Sequence, residues 1–145
     1  MAFKKEEFEI VRYVAHAGAG KGQSPADALP MADGSILVGG LEAGMVVESA
    51  AVVLTAAITG TTAVEIGDAV SADGFVASAD ITYATPNVYQ GRGAHISSTV
   101  NVVAASADVY VSSPKYYAAA ADLKLNVTGG SSAGAFVVIL KGYKV

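Results

Sequence analysis

The stretch Met45–Gly67, MVVESAAVVLTAAITGTTAVEIG, decides the fold. Its first apolar run holds Val46, Val47, Val52, Val53, Leu54 and Ile58, and a short second run ends at Ile66-Gly67, with Thr59-Gly60-Thr61-Thr62 between them. β-Branched side chains dominate both runs and the break carries turn chemistry, so the segment predicts strand, hairpin turn, strand. Both faces of the first strand are apolar or small, which predicts burial on two sides.

Toward the C-terminus the same signal recurs. Leu123–Thr128 alternates cleanly, with Leu123, Leu125 and Val127 inward and Lys124, Asn126 and Thr128 outward. After the turn at Gly129–Ser132, Ala135–Val145 (AFVVILKGYKV) is a long terminal strand that pairs with the Met45 strand or packs face to face on it. His95–Val103 and Asp108–Ser113 are two further strands, and Lys115–Asp122 reads as a single helical turn. Between Asp68 and Gly93 turns alternate with short apolar pieces, of which Phe75, Val76 and Ile81 are core contacts. Toward the N-terminus, Gly34–Val38 is a short strand. Residues 15–33 are a Gly- and Ala-rich loop in which Ser24-Pro25-Ala26-Asp27 carries the signature of a helix start. Residues 1–14 form either an arm that reaches a neighbouring subunit or an edge strand whose charges discourage wrong pairing.

The count is about eight antiparallel strands with no helix of useful length. The long, irregular connections at 15–33 and 67–93 suit a jelly-roll β-sandwich better than an up-and-down barrel, whose hairpins are short. A length of 145 residues suits one domain, 1–145.

Composition narrows the function. The chain has 52% hydrophobic and only 15% charged residues, where soluble domains carry about 25% charged. Partner subunits covering much of the surface account for this balance better than a lone monomer. A net charge of −4 leaves no basic surplus for phosphates, against a nucleic-acid partner. No window reaches the roughly eighteen unbroken apolar residues of a membrane helix, and MAFKKEEFEI has no apolar core of a secretion signal. There is no cysteine, hence no disulfide and no thiolate metal site.

Motifs for chemistry fail one by one. In Gly18-Ala19-Gly20-Lys21-Gly22, Ala15 stands where a phosphate loop needs its first glycine and Gly22 where it needs Ser or Thr. Gln23 stands where a dinucleotide fingerprint needs its third glycine. The two histidines, His16 and His95, are too few for a histidine cage, and no Gly-x-Ser-x-Gly elbow is present. Asp68 and Asp73-Gly74 lack calcium-loop spacing and read as turn formers. Glu48 and Glu65, isolated among apolar neighbours, read as solvent-facing. The expectation is a non-enzyme with no catalytic residue, no cofactor and no metal.

The order AVVLTAAITGTTAVEIGD (51–68), DGFVASADI (73–81), ADVYVSS (107–113), LKLNVTGG (123–130) and AGAFVVILKGYKV (133–145) resembles the small jelly-roll decoration or cement proteins of tailed bacteriophages. The resemblance covers Met45 to Val145. It implies a virion protein, commonly a homotrimer, that sits on the capsid exterior over junctions between major-capsid subunits and is assembled in the host cytoplasm. Outside the resemblance, the functional surface is expected in the arm, at Phe3, Lys4, Lys5 and Phe8, and in the loops around Gly18–Asp33 and Asp68–Gly93, which include Arg92. The alternative is a jelly-roll tail or fibre part or a carbohydrate-binding module, which wants a groove lined by Tyr83, Tyr89, Tyr116 and Tyr117.

Overall fold

The computed structural model describes residues 5–15, 29–61, 63–92, 95, 97–100, 109–112, 114–130 and 132–145. The Ser24–Asp27 helix start, His16 and the Gly18–Gly22 loop lie outside them. Period-two apolar runs become strands: β1 (Glu6–Ala15), β2 (Leu29–Pro30), β3 (Gly34–Leu41), β4 (Met45–Thr59), β5 (Ala63–Gly67), β6 (Asn87–Gln90), β7 (Ser97–Val100), β8 (Val109–Ser112), β9 (Lys115–Tyr117), β10 (Ala121–Thr128) and β11 (Ala133–Lys144). A 3-10 turn spans Ser78–Asp80.

The protein is all-β, with two sheets packed as a sandwich. The larger runs β2-β1-β11-β4-β6 with β9 also on β4, the smaller runs β3-β10-β5, and β7 and β8 pair with each other. Every pairing is antiparallel except the short β1–β2 contact. The strands exceed the expected eight because short pieces, β2, β6 and β9, extend the larger sheet.

The central ladder is β11 on β4, so the two long apolar strands do pair, as Phe136↔Leu54, Val138↔Val52 and Leu140↔Ala50. The hairpin expected within Met45–Gly67 is not formed. β11 runs along one side of β4, and on the other, at the Thr55–Thr59 end where a hairpin partner would lie, the Ile58 N–H donates to Tyr83 O at 2.8 Å. The chain crosses after Thr59 to the opposite sheet, where β5 pairs with β10 through Ile66↔Leu125 and Val64↔Val127. Burial of β4 is also one-sided. Ala50, Val52 and Leu54 are buried, whereas Ala51 and Val53 are half-buried and Thr55 is exposed, because no layer among the described residues covers the outer face.

The segment read as a helical turn is strand β9, whose Tyr117 pairs Met45 and Lys115 pairs Val47. Two adjacent tyrosines are strand formers, and the free length of β4 beyond β6 gives them a partner. From Glu6 onward the N-terminal segment is a strand in unbroken register with β11 from Glu6↔Lys144 to Ala15↔Ala135. β2 pairs it only at Val14 and Ala15, so among the described residues Glu6–Tyr13 is a charged edge of the larger sheet.

The core lies between the sheets. Val14, Val47, Val52, Leu54, Phe136, Val138 and Leu140 of the larger sheet meet Val38, Val64, Ile66, Leu123 and Leu125 of the smaller one. Phe75, Val76 and Ile81 join it, as their sequence setting predicts. At about 1.5–3 kcal/mol per fully buried aliphatic or aromatic side chain, this layer is the main stabilising term.

Candidate functional site

Three features outside the plain core carry functional weight: a charged end of the larger sheet, the apolar remainder of its outer face, and one buried carboxylate.

At the charged end, β11 shifts register against β4 between Lys141 and Gly142, placing Glu48 at a bulge. Glu7, Phe8, Glu9, Glu48, Lys141 and Gly142 line a concavity of about 370 Å³ there. Lys141 Nζ lies 3.6 Å from Glu9 Oε2, and Lys5 Nζ lies 3.7 Å from Glu48 Oε1 and 4.2 Å from the centroid of the Tyr143 ring. Glu42 and Lys144 form a further pair. Its hydrogen bond and charge hold the Glu42 carboxyl below, and the Lys144 ammonium above, their ordinary values. These are solvent-exposed pairs, screened by water and salt, so they define charge pattern rather than stability.

Gly142 makes the bulge possible. A Cβ there would stand 1.9 Å from the carbonyl oxygen of Val46 and 2.8 Å from Cζ of Phe8. Gly142→Ala is therefore expected to lower stability by about 1–3 kcal/mol, read as a lower urea midpoint.

The rest of that face is apolar. Cross-strand neighbours share a face, so the registers Tyr13↔Val137, Val137↔Val53 and Val53↔Val88 form one row across β1, β11, β4 and β6. Val11, Ile139 and Ala51 form the next row. Val11, Val53, Val137 and Ile139 are only half-buried, while Tyr13 is 40% and Val88 61% exposed.

The buried carboxylate is Asp68, just past β5, with its side chain 3% exposed. Its Oδ1 accepts the backbone N–H groups of Val70 (2.9 Å) and Ser71 (3.0 Å), the turn role its sequence setting predicts. Its Oδ2 accepts the Tyr117 hydroxyl at 2.6 Å and the Lys115 ammonium at 2.9 Å, with His95 Nε2 at 3.2 Å. Burial alone would push this carboxyl up. The bonds from Tyr117, Lys115, Ser71 and Val70 outweigh it and hold the group well below the usual carboxylate range. Burial first, then the bond to Asp68 and its charge, push the Tyr117 phenol above its ordinary value. His95 fits edge-on to Phe75, ring centroids 5.2 Å apart, in space that any Cβ at Gly74 would fill at 2.0 Å. With both carboxylate oxygens engaged, the cluster is a latch joining β5, β9 and the His95 segment.

The expected contact residues do not form one cluster. Phe3 and Lys4 lie outside the described residues. Lys5 and Phe8 sit at the charged end, Lys5 engaged with Glu48 and Phe8 half-buried against the core. Arg92 follows β6, at the opposite side of the sheet from β1, and its backbone N–H donates to Asp80 Oδ2 at 2.8 Å. Three strand spacings of about 4.8 Å separate the β1 and β6 positions. Glu48, read as solvent-facing, pairs with Lys5. Of the four tyrosines, Tyr117 is buried in the latch, and Tyr83 donates its hydroxyl to Ser78 O (3.3 Å) and accepts the Val64 N–H (2.9 Å). Tyr89 donates to Thr85 O at 2.5 Å, and Tyr116 is exposed.

Among the described residues, no three His, Asp or Glu side chains are grouped to hold a metal ion, and no helix is long and apolar enough to cross a membrane. The Asp68 latch was missed in the sequence because its partners are 47 and 49 positions away.

No protein-family model matches the chain, and no curated protein matches it. Among solved structures it is similar to a chain of the cyanophage Pam1 capsid asymmetric unit, with a TM-score of 0.54 and 14% identity, over 100% of this chain and 89% of that one. At that identity the likeness is one of fold.

Proposed function

We propose that this chain is a non-enzymatic bacteriophage virion protein that decorates the capsid exterior and stabilises it by bridging major-capsid subunits. One observation carries the reading: the whole chain shares its fold with nearly the whole of a chain from a phage capsid asymmetric unit. The sheet supplies a means. The row Tyr13, Val137, Val53 and Val88 is an apolar surface rimmed by Glu7, Glu9 and Lys141, the apolar-centre, polar-rim pattern of protein interfaces. The protein assembles in the host cytoplasm as a homo-oligomer, the trimer being the form its sequence resemblance implies. Bound across a junction, it adds contacts that capsid rupture must also break, so its effect follows occupancy by mass action. The carbohydrate-binding alternative loses ground, since Tyr117 is buried and Tyr83 is held in local hydrogen bonds.

The test is co-sedimentation with purified heads lacking the protein, followed by heat challenge. The expected result is saturable binding and a higher rupture temperature, with Val88→Glu binding more weakly at unchanged thermal stability of the free protein. Absence of binding, or binding without heat protection, overturns the reading.

A further inference from the structure

The outer face of the larger sheet, uncovered among the described residues, has two unlike central strands. The register gives β11 the bulkier outward residues, Val137, Ile139, Lys141 and Tyr143. It gives β4 the slighter ones beside them, Val53, Ala51, Ser49 and Val46. β1 flanks β11 on one side, and β6 and β9 flank β4 on the other. An apolar face of this kind on a free protein marks a contact surface. Turned over about an axis parallel to its strands, the face fits itself. β11 of one copy then lies on β4 of the other, so that Ile139 sits over the partner's Ala51 and Tyr143 over the partner's Val46. Each bulky residue meets a slight one.

We infer that in the free protein this face is closed by the same face of a second copy, the two larger sheets stacking about a two-fold axis that runs along β4 and β11. Sheets packed face to face keep their strands within about 30° of each other and interdigitate their facing side chains. Charge agrees with size. Lys141 falls on the partner's Ser49, next to the bulge that carries the partner's Glu48, and Glu7 falls on the partner's Tyr116, so no like charges meet. At the apolar end Tyr13 and the partner's Val88 cover each other, residues that are 40% and 61% exposed in the single chain. A two-fold axis across the strands would instead set β11 on β11, bulky on bulky, and lay the charged end on the apolar end. The pattern therefore selects a second copy in one orientation.

The contact is isologous, so it joins copies in pairs, and a trimer held through other surfaces doubles to six. Four strands about 4.8 Å apart, over the seven residues from Glu7 to Tyr13 at about 3.4 Å each, give roughly 450 Å² in plan on each copy. That is the small end of specific interfaces, so the pair is reversible. The face is the one that the proposed function gives to the capsid, and the inference rests on that reading in one respect: self-pairing keeps the apolar rows from water until heads displace the second copy.

The test is molecular mass by sedimentation over a wide concentration range, without heads, for the wild type, Ile139→Lys and Ala51→Glu, with thermal unfolding of each as a folding control. The wild type is expected to double in mass as concentration rises, while each variant stays at half the paired mass because it sets a charge into both apolar contacts. An equimolar mixture of the two variants recovers the doubling. The introduced lysine then faces the introduced glutamate across the axis, and the second contact keeps its native Ile139 and Ala51. Should either variant fail to fold, Ile139→Glu with Ala51→Lys repeats the comparison. A wild type that never doubles, variants that double as it does, or a mixture that stays apart overturns the pairing. Head binding by a protein that never doubles leaves the proposed function standing, and doubling by a protein that ignores heads leaves the pairing standing, so the two failures are distinguishable.

Discussion

Replacing Asp68 with alanine is expected to lower stability by about 3–5 kcal/mol, because it strands the Lys115 ammonium and the Tyr117 hydroxyl without the carboxylate they share. For a domain of this size that is a fall in melting temperature of roughly 10–15 °C, measurable by calorimetry. The latch also sets the limits of pH stability. The Asp68 carboxyl is held below its unfolded value. Its contribution is therefore complete above the ordinary aspartate range, about pH 4, and is lost as pH falls further. The Tyr117 phenol is pushed above its unfolded value. Its contribution is complete below about pH 10 and declines as pH rises beyond that. Urea unfolding at pH 7 and pH 3 checks the acid limb. The gap between the wild type and Asp68→Asn should be wide at the first pH and smaller by about 1 kcal/mol at the second, because the folded carboxyl is still ionised there. An equal gap at both would mean that Asp68 acts through packing rather than charge.

Phe75→Ala is expected to cost a similar amount, about 3–5 kcal/mol. The Phe75 side chain is fully buried, its backbone N–H closes the β5 edge on Ile66, and its ring lies 5.2 Å from His95 and 6.4 Å from Tyr117. Removal opens a cavity between the sheets and withdraws the wall against which the latch is built. Phe75→Leu keeps most of the volume and should cost much less, about 1–1.5 kcal/mol. Because ring and latch are in contact, the Phe75→Ala, Asp68→Asn double variant should be less destabilised than the sum of its parts, with a coupling of about 0.5–3 kcal/mol. Strict additivity in denaturant titrations would show that the two act independently.

What the sequence disclosed depended on distance along the chain. Alternation at Leu123, Leu125 and Val127 is a local signal, and those side chains are inward as expected. Phe75, Val76 and Ile81 stood out as large apolar residues among turn formers, and all three are core. Pairing is a different matter. Thr59–Thr62 has turn chemistry, yet turn residues serve a hairpin and a sheet-to-sheet crossing equally well. The choice rests on the pairing of β5 with β10, a strand remote in the sequence, which no local pattern records. Tyr116-Tyr117 became strand rather than helical turn for the same reason. Asp68 was legible only as far as its own turn, through Val70 and Ser71. Lys115, Tyr117 and His95 reach it from remote elements, and their proximity is a product of the finished sandwich. At the charged end the sequence offered Lys5 and Phe8 as an outgoing arm, while Glu48 and Tyr143 hold Lys5 on its own chain.

The ladder between β1 and β11 has a consequence in time. It ties Glu6 to Lys144 and Ala15 to Ala135, so the second strand of the chain's longest unbroken register is made at least 120 residues after the first. Until then β1 has only the two-residue β2 as a neighbour within its sheet, and β4 lacks the strand along its full length. Closing such a contact needs almost the whole chain as a loop before any hydrogen bond offsets the lost entropy, which places folding in the slow, non-local regime. The nascent chain is thus held short of its final form during synthesis, with the uncharged β3 and the apolar β4 both open. Synthesis of β11 is the event that joins β1 to β4 and closes the larger sheet.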